Sequence, residues 1–156
     1  MSCERLFRAL EESKIEYEVL HHERDFIAQE TAHDTHTPGA AFAKSVVLEA
    51  GQRHALAVIP APEHVDLDKA ADALGAEEAE LAAEERMAEL FPDCEVGAEP
   101  AFGNLYGLAV LVDPALSENE FITFNAGTHE EAVRMRYADY KRAVRPMLAH
   151  ITEEVM

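Results

Sequence analysis

The sequence predicts an α/β fold of the α+β type, with a mixed, largely antiparallel sheet and helices packed outside it. Two observations support this prediction. Apolar runs of strand length and amphipathic helical patterns both recur along the chain, and the two do not alternate regularly as they would in repeated βαβ units. A chain of 156 residues has the size of one domain, so we expect residues 1–156 to form a single domain.

The N-terminal elements follow from two periodicities. Residues 3–10 carry apolar side chains at helical spacing, which predicts an amphipathic helix. Residues 15–19 alternate apolar and polar side chains, which predicts a half-buried strand. A polar loop follows, and residues 28–36 predict a short helix that ends before Pro38 and Gly39.

The central elements are a hairpin and two helices. Val46 to Leu48 and Ala55 to Ile59 are apolar runs joined by a short turn, which predicts paired strands. Asp66 is a good N-cap and Gly75 a good terminator for a helix between them. We expect a second, acidic helix over about residues 77–90.

The C-terminal third predicts three more strands and a last helix. The strands are expected at 108–112, 120–124 and 132–136, and the helix at 138–145. The runs at 46–48, 55–59 and 108–112 are the most apolar, so we expect them to be neighbouring central strands with little exposure.

Charge and hydropathy limit the classes of partner. The formal net charge of −18 argues against broad nucleic-acid binding, and DNA is not expected as a partner. No apolar run reaches membrane-spanning length, and the first residues lack the apolar core of a signal peptide. We therefore expect a cytoplasmic protein without a membrane partner.

One segment departs from the acidic average. Residues 134–145 have a net charge of +4. Such a segment either holds a few phosphates or forms a solvated helix face. The candidate phosphate contacts are Arg134, Arg136, Lys141, Arg142 and Arg145.

Lys44 stands out because it opens the apolar run that ends at Leu48. Lysine is rarely fully buried without a partner. Either its ammonium group reaches water at the strand end, or it points into a pocket. We expect no metal: His33 and His36 have a spacing seen in zinc sites, but no third ligand lies nearby in the sequence, so a metal hydrolase is a remote alternative.

Three segments together resemble the YbaK/prolyl-tRNA-synthetase-associated domain family. They are Ala43-Lys-Ser-Val-Val-Leu48, Gly97-Ala-Glu-Pro-Ala-Phe-Gly103 and Phe124-Asn-Ala-Gly-Thr-His129. The resemblance extends over nearly the whole chain. It implies a barrel-like mixed sheet, and hydrolysis in trans of the ester that joins a wrong amino acid to a tRNA. It also implies the tRNA acceptor end as partner, with a synthetase as a further one, and no cofactor.

The resemblance places the family's critical lysine at Lys44. Gly127 and His129 complete the expected catalytic set, with backbone N–H groups of the turn at 125–128 as donors to the oxyanion and His129 orienting water or a ribose hydroxyl. The expected substrate-binding residues are Ser45, Gly97, Pro100, Phe102, Gly103, Asn125 and Thr128.

The chain departs from the family pattern at three positions. Ala101 stands where the proline of the family's Gly-x-x-x-Pro loop belongs, Asn125 replaces a serine, and Ala132 falls where some deacylases have an aspartate. These departures affect which amino acid the site would recognise. They leave a second reading open, in which the fold is a tRNA- or nucleotide-binding module without turnover.

Overall fold

The computed structural model describes residues 3–154 of the chain. Five helices and eight strands follow one another in the order α1 β1 α2 β2 β3 α3 β4 α4 β5 β6 β7 α5 β8. The helices are α1 (Glu4–Glu12), α2 (Ala28–Asp34), α3 (Leu67–Leu74), α4 (Glu84–Leu90) and α5 (Tyr137–Val144). The strands are β1 (Tyr17–His21), β2 (Ala43–Ala50), β3 (Arg53–Pro60), β4 (Glu80–Leu81), β5 (Ala109–Val112), β6 (Phe121–Asn125), β7 (Glu131–Arg136) and β8 (Met147–Leu148).

The strands form two sheets. The larger has the order β4-β2-β3-β5-β8, with antiparallel pairing at β4-β2-β3 and parallel pairing at β3-β5-β8. The smaller is an antiparallel sheet of order β1-β7-β6. The mixed, largely antiparallel α/β architecture is therefore confirmed, and β2, β3 and β5 are neighbouring inner strands as expected.

The structure corrects the expectation of a barrel-like sheet. Within residues 3–154, the two sheets meet through one parallel bridge, between Phe42 and Thr123. A single bridged pair does not continue into a ladder, so the strands do not close into a barrel. The bridge nevertheless brings the start of β2 beside β6, and this position matters for the site.

Local sequence explains α3 fully. The Asp66 carboxylate accepts hydrogen bonds from the backbone N–H groups of Asp68 and Lys69, and Gly75 ends the helix with φ +68°. The second predicted helix is wrong over its first half. Glu80 and Leu81 instead pair with Leu48 and Glu49, because tertiary pairing with the sheet overrides a weak helical preference.

An aromatic cluster supports the loop that follows α4. The rings of Phe102, Phe124 and Tyr140 lie with centroids between 5.4 and 6.1 Å apart, and all three side chains are buried. Tyr140 also donates a hydrogen bond of 2.7 Å to the backbone carbonyl of Ala101. This core fixes the loop from below.

Across residues 3–154, no helix has both the length and the apolar character that a bilayer crossing needs.

Candidate functional site

A cavity of about 290 Å³ opens where the two sheets meet. Its polar lining comes from Lys44 and Ser45 on β2, Glu99 in the loop after α4, and Asn125 at the end of β6. Lys44 and Asn125 each lie two residues beyond the Phe42–Thr123 bridge, which explains why they face a common space. The structure thus brings together parts of all three sequence segments.

The rest of the lining is apolar. Val47, Ala82 and Met87 form a wall, and Phe26 and Leu81 stand at the rim with 68% and 59% of their surface exposed. Together they give the rim of the cavity an exposed apolar surface. Phe26 was not predicted from the sequence, because an aromatic residue in a polar loop belongs to no periodic pattern.

Lys44 lies half-buried between this cavity and a neighbouring groove of about 510 Å³. Its ammonium group donates a hydrogen bond to the backbone carbonyl of Glu63. Burial lowers the pKa of Lys44, and the nearby Glu63 carboxylate acts in the opposite direction. An ammonium group so placed has further N–H donors for a carbonyl or phosphate oxygen of a ligand.

Glu99 also lines the cavity, although no sequence pattern indicates it. It is 3% exposed, and its carboxylate accepts a hydrogen bond of 2.9 Å from the backbone N–H of Gly97. Burial raises the pKa of Glu99. A glutamate between alanine and proline, two residues after a glycine, has the pattern of an exposed loop residue, and only its unusual burial identifies it.

Two of the backbone N–H groups expected as donors in the turn after β6 are already hydrogen-bonded. The N–H of Ala126 donates to the Glu131 carbonyl at 3.0 Å, and the N–H of Gly127 donates to the Ala98 carbonyl at 2.9 Å. These two groups hold the turn against its neighbours and are not available to an oxyanion. Gly127 is required for another reason: its φ is +93°, and a Cβ there would come within 2.6 Å of the Cβ of Cys3.

His129 lies outside the cavity lining and is 4% exposed. Its Nδ1 lies 2.8 Å from the carbonyl oxygen of Asp25, and its Nε2 lies 2.9 Å from that of Val96. Each ring nitrogen therefore lies within hydrogen-bond distance of a backbone carbonyl oxygen, of which a neutral ring donates to one, and His129 does not line the cavity. The ring ties the turn to two other loops, which makes His129 a positioning residue rather than a group that touches substrate.

Four other expected binding residues face the interior. Phe102 belongs to the aromatic cluster, and a Cβ at Gly103 would lie 3.0 Å from that of Leu56. Pro100 and Thr128 are buried, and the Thr128 hydroxyl bonds within its own turn. These residues shape the loops, whereas Gly97, Ser45 and Asn125 line the cavity.

The basic segment is largely neutralised. Arg134 donates to the Thr35 carbonyl and the Thr37 hydroxyl and lies 3.8 Å from Glu18, so it is a packing residue. Arg136 pairs with Glu120 at 2.8 Å, and Arg142 pairs with Asp139. Strand and helix periods differ across this segment, which is why its side chains do not share one face. Within the described part of the chain, Lys141 and Arg145 are exposed and form no ion pair.

A larger groove of about 820 Å³ is a poorer candidate. Five acidic residues line it: Glu49, Asp68, Glu77, Glu78 and Glu80. A concave surface with that charge repels a polyanionic ligand. The smaller cavity is therefore the candidate site.

Comparison with known proteins identifies the family of the chain. The sequence model of the aminoacyl-tRNA editing domain matches residues 22–143, which include every polar residue of the cavity. Two curated relatives, from Escherichia coli K12 and O157:H7, are each named multifunctional Ser/Thr-tRNA deacylase ProXp-y. Each is 35% identical over 99 residues, which are 63% of this chain and 59% of the relative, so the match spans about three fifths of their length.

Solved structures share the fold. A candidate trans-editing enzyme for prolyl-tRNA synthetase superposes with a TM-score of 0.84 at 21% identity, covering 97% of both chains. A scaffold protein from epitope grafting by computational design superposes with a TM-score of 0.86 at 19% identity, covering 98% of this chain and 97% of the other. Because the family model matches residues 22–143, which are most of this chain, the chain belongs to the aminoacyl-tRNA editing domain family.

Proposed function

We propose that this protein is an aminoacyl-tRNA deacylase that hydrolyses the ester of a mischarged tRNA in trans, in the cytoplasm. The observation that carries the proposal is the Lys44 ammonium group at the wall of a cavity that the family's other two segments also line. A synthetase discriminates amino acids that differ by one methylene group by only about 1–3 kcal/mol, so a second hydrolytic site is useful to the cell.

The hydrolysis of an aminoacyl ester needs few catalytic groups from the protein. An aminoacyl ester is already activated, and its hydrolysis needs a positioned water and stabilisation of the negative charge that develops on the carbonyl oxygen. Lys44 supplies the positive charge, and the half-buried position strengthens its interaction relative to bulk water. Phe26 at the rim offers an exposed ring to the terminal base of the acceptor end.

The test is single-turnover hydrolysis of a panel of mischarged tRNAs, with the Lys44→Ala variant in parallel. Seryl- and threonyl-tRNA come first, because the curated relatives are named for these amino acids. Hydrolysis of at least one member by the wild type, and its loss in the variant, is the expected result. No hydrolysis of any member would refute the proposal and favour a module that binds tRNA or a nucleotide without turnover.

The substitution at Ala101 gives no reason to expect lost turnover. Ala101 is fully buried, and its carbonyl oxygen accepts the hydrogen bond from Tyr140. It lies on the core side of the loop, away from the cavity lining.

A further inference from the structure

Two oxygen-bearing side chains of the cavity lack the hydrogen-bond partners that buried polar groups normally have, and a third, a buried carboxylate, lacks a cation. Ser45 Oγ and Asn125 Oδ1 are buried and form no hydrogen bond within residues 3–154. Glu99 is a buried residue of the same cavity lining, its carboxylate accepts the hydrogen bond from the Gly97 N–H, and no described residue forms an ion pair with it. All three are acceptors of hydrogen bonds.

The Glu99 side chain is not free to rotate into solvent, where water would hydrate its carboxylate. Its carboxylate is held by the N–H of Gly97, and the loop below it rests on the aromatic core through the bond from Tyr140 to Ala101. A buried carboxylate is costly unless a cation or several donors compensate it. A ligand group that is positively charged and has several N–H donors would therefore be complementary to this part of the cavity.

Lys44 does not provide that group. It lines the same cavity, but its ammonium group is bonded to the Glu63 carbonyl, and no Lys44–Glu99 pair lies within ion-pair distance. The cavity thus has an ammonium group at one wall and a carboxyl group at another. A ligand with a negative group facing Lys44 and a positive group facing Glu99 would be held in one orientation.

An aminoacyl ester has that polarity. Its carbonyl oxygen gains negative charge during hydrolysis, and its α-ammonium group is a cation with three N–H donors, attached to the carbon next to the carbonyl. We propose that Glu99, together with Ser45 Oγ and Asn125 Oδ1, binds the α-ammonium group of the aminoacyl moiety. This inference depends on the proposed function only for the identity of the ligand.

The arrangement would align the substrate. The α-ammonium group lies against Glu99, and the ester carbonyl faces Lys44. The site therefore selects tRNAs that carry a free α-amino group and rejects those whose amino group is acylated. A general base at Glu99 would instead act on water, and its loss would slow the hydrolysis of both kinds of ester equally.

The experiment measures binding, so that it does not depend on turnover. The ligands are 3′-(L-serylamino)-3′-deoxyadenosine, which is a stable amide, and its counterpart in which hydrogen replaces the α-amino group. Dissociation constants are measured at pH 6.5, where an α-amino group of pKa about 8 is protonated. The proteins are the wild type, Glu99→Gln, Ser45→Ala and, as a matched control, Glu118→Gln on the exposed surface.

The wild type and Glu118→Gln should prefer the amino ligand by about tenfold or more, because a charge-assisted hydrogen bond is lost with the other ligand. Glu99→Gln should abolish most of this preference while keeping its affinity for the counterpart, and Ser45→Ala should reduce the preference by a smaller factor. A wild type without the preference, or a preference that survives in Glu99→Gln, would overturn the inference. Equal weakening of both ligands in Glu99→Gln would also overturn it, since that points to damaged packing.

Hydrolysis assays on the same preparations separate the two proposals. A wild type that prefers the amino ligand but hydrolyses no mischarged tRNA supports the ammonium site and refutes the deacylase. A wild type that hydrolyses a mischarged tRNA without preferring the amino ligand does the opposite.

Discussion

The Glu95 carboxylate accepts a hydrogen bond of 2.7 Å from the backbone N–H of His129, and so joins the two loops beside the cavity. Its other oxygen accepts from Arg24 at 2.8 Å, and these contacts lower the pKa of Glu95, the Arg24 bond most strongly. The Glu95 backbone N–H donates to the Gly127 carbonyl as well. The position of the turn therefore depends on a residue that contributes nothing to the cavity lining.

Glu95→Ala should loosen this junction. The free energy of unfolding should fall by an amount near the low end of the ~0.5–1.5 kcal/mol typical of a hydrogen bond, because the carboxylate is partly exposed. The specific measurement is amide hydrogen exchange at His129, which should become faster than in the wild type. Unchanged protection there would mean that the backbone contacts hold the turn without Glu95.

Lys44→Ala should lower single-turnover hydrolysis by about 10²-fold, which is the typical cost of one contact to developing charge. Arginine at this position should restore only part of the rate, because its planar fork does not replace a compact ammonium group. Lys69→Ala is the matched control, since Lys69 is also a partly exposed lysine bonded to a backbone carbonyl, that of Thr152. Thermal stability of Lys44→Ala should stay near that of the wild type. A rate within threefold of the wild type would exclude a catalytic role for Lys44.

Gly127→Ala should destabilise the fold through two separate effects. Its φ of +93° strains any residue with a Cβ, and that Cβ would meet Cys3. Gly51→Ala is the control, because Gly51 has φ +67° and nothing within 4 Å of a Cβ. The loss in Gly51→Ala should be about 1 kcal/mol, and the loss in Gly127→Ala should be larger.

The Cys3→Gly substitution tests whether the contact with Cys3 causes the larger loss of stability in Gly127→Ala. In a Cys3→Gly/Gly127→Ala double variant, the steric part should disappear and the two changes should not add. Additive losses in urea unfolding would show that backbone strain, and not the contact with Cys3, determines the cost.

Glu99→Gln should stabilise the free protein at neutral pH. Burial raises the pKa of Glu99 above the usual carboxyl value of about 4.3, so the folded state binds the proton more tightly than the unfolded state does. Stability from this group is therefore present at low pH and lost as pH rises through the folded-state pKa. Glutamine does not titrate and avoids that loss.

The difference in stability between Glu99→Gln and the wild type should grow as pH rises above the usual carboxyl pKa of about 4.3. Urea unfolding at several pH values measures it, with Glu118→Gln expected to show no such trend. A pH-independent difference would indicate that the carboxyl group titrates alike in both states.

Reversing the charge of Lys141 and Arg145 should weaken tRNA binding and flatten its salt dependence. Both are exposed and form no ion pair with residues 3–154. Arg8 and Lys14 are a control pair, also exposed, that carries the same charge change elsewhere. Equal effects of the two pairs would reduce the role of Lys141 and Arg145 to general charge. Arg134→Ala, by contrast, should affect stability first, because it removes the bonds to Thr35 and Thr37.

Local signals account for what the sequence predicted well. The α3 helix has its start at Asp66 and its end at Gly75, and the β2–β3 hairpin has its turn between two apolar runs. Glu80 and Leu81 form a strand only because Leu48 and Glu49 lie beside them, a relation no local pattern contains. The site divides in the same way. Lys44 stands out as a charge in an apolar run, whereas the burial of Glu99 and the engagement of His129 by two carbonyls arise from packing between distant loops.

The packing of Cys3 against Gly127 has a consequence for how the protein acquires its site during synthesis. Strand β1, near the start of the chain, likewise pairs with β7, which is made among the last elements. Contacts that span so much of the sequence form late and slow folding, because a long loop must close before they are gained. A ribosome-bound chain lacking β7 would hold the β2–β3 hairpin without the β6–β7 turn in place. We expect the cavity to mature only after the chain is nearly complete.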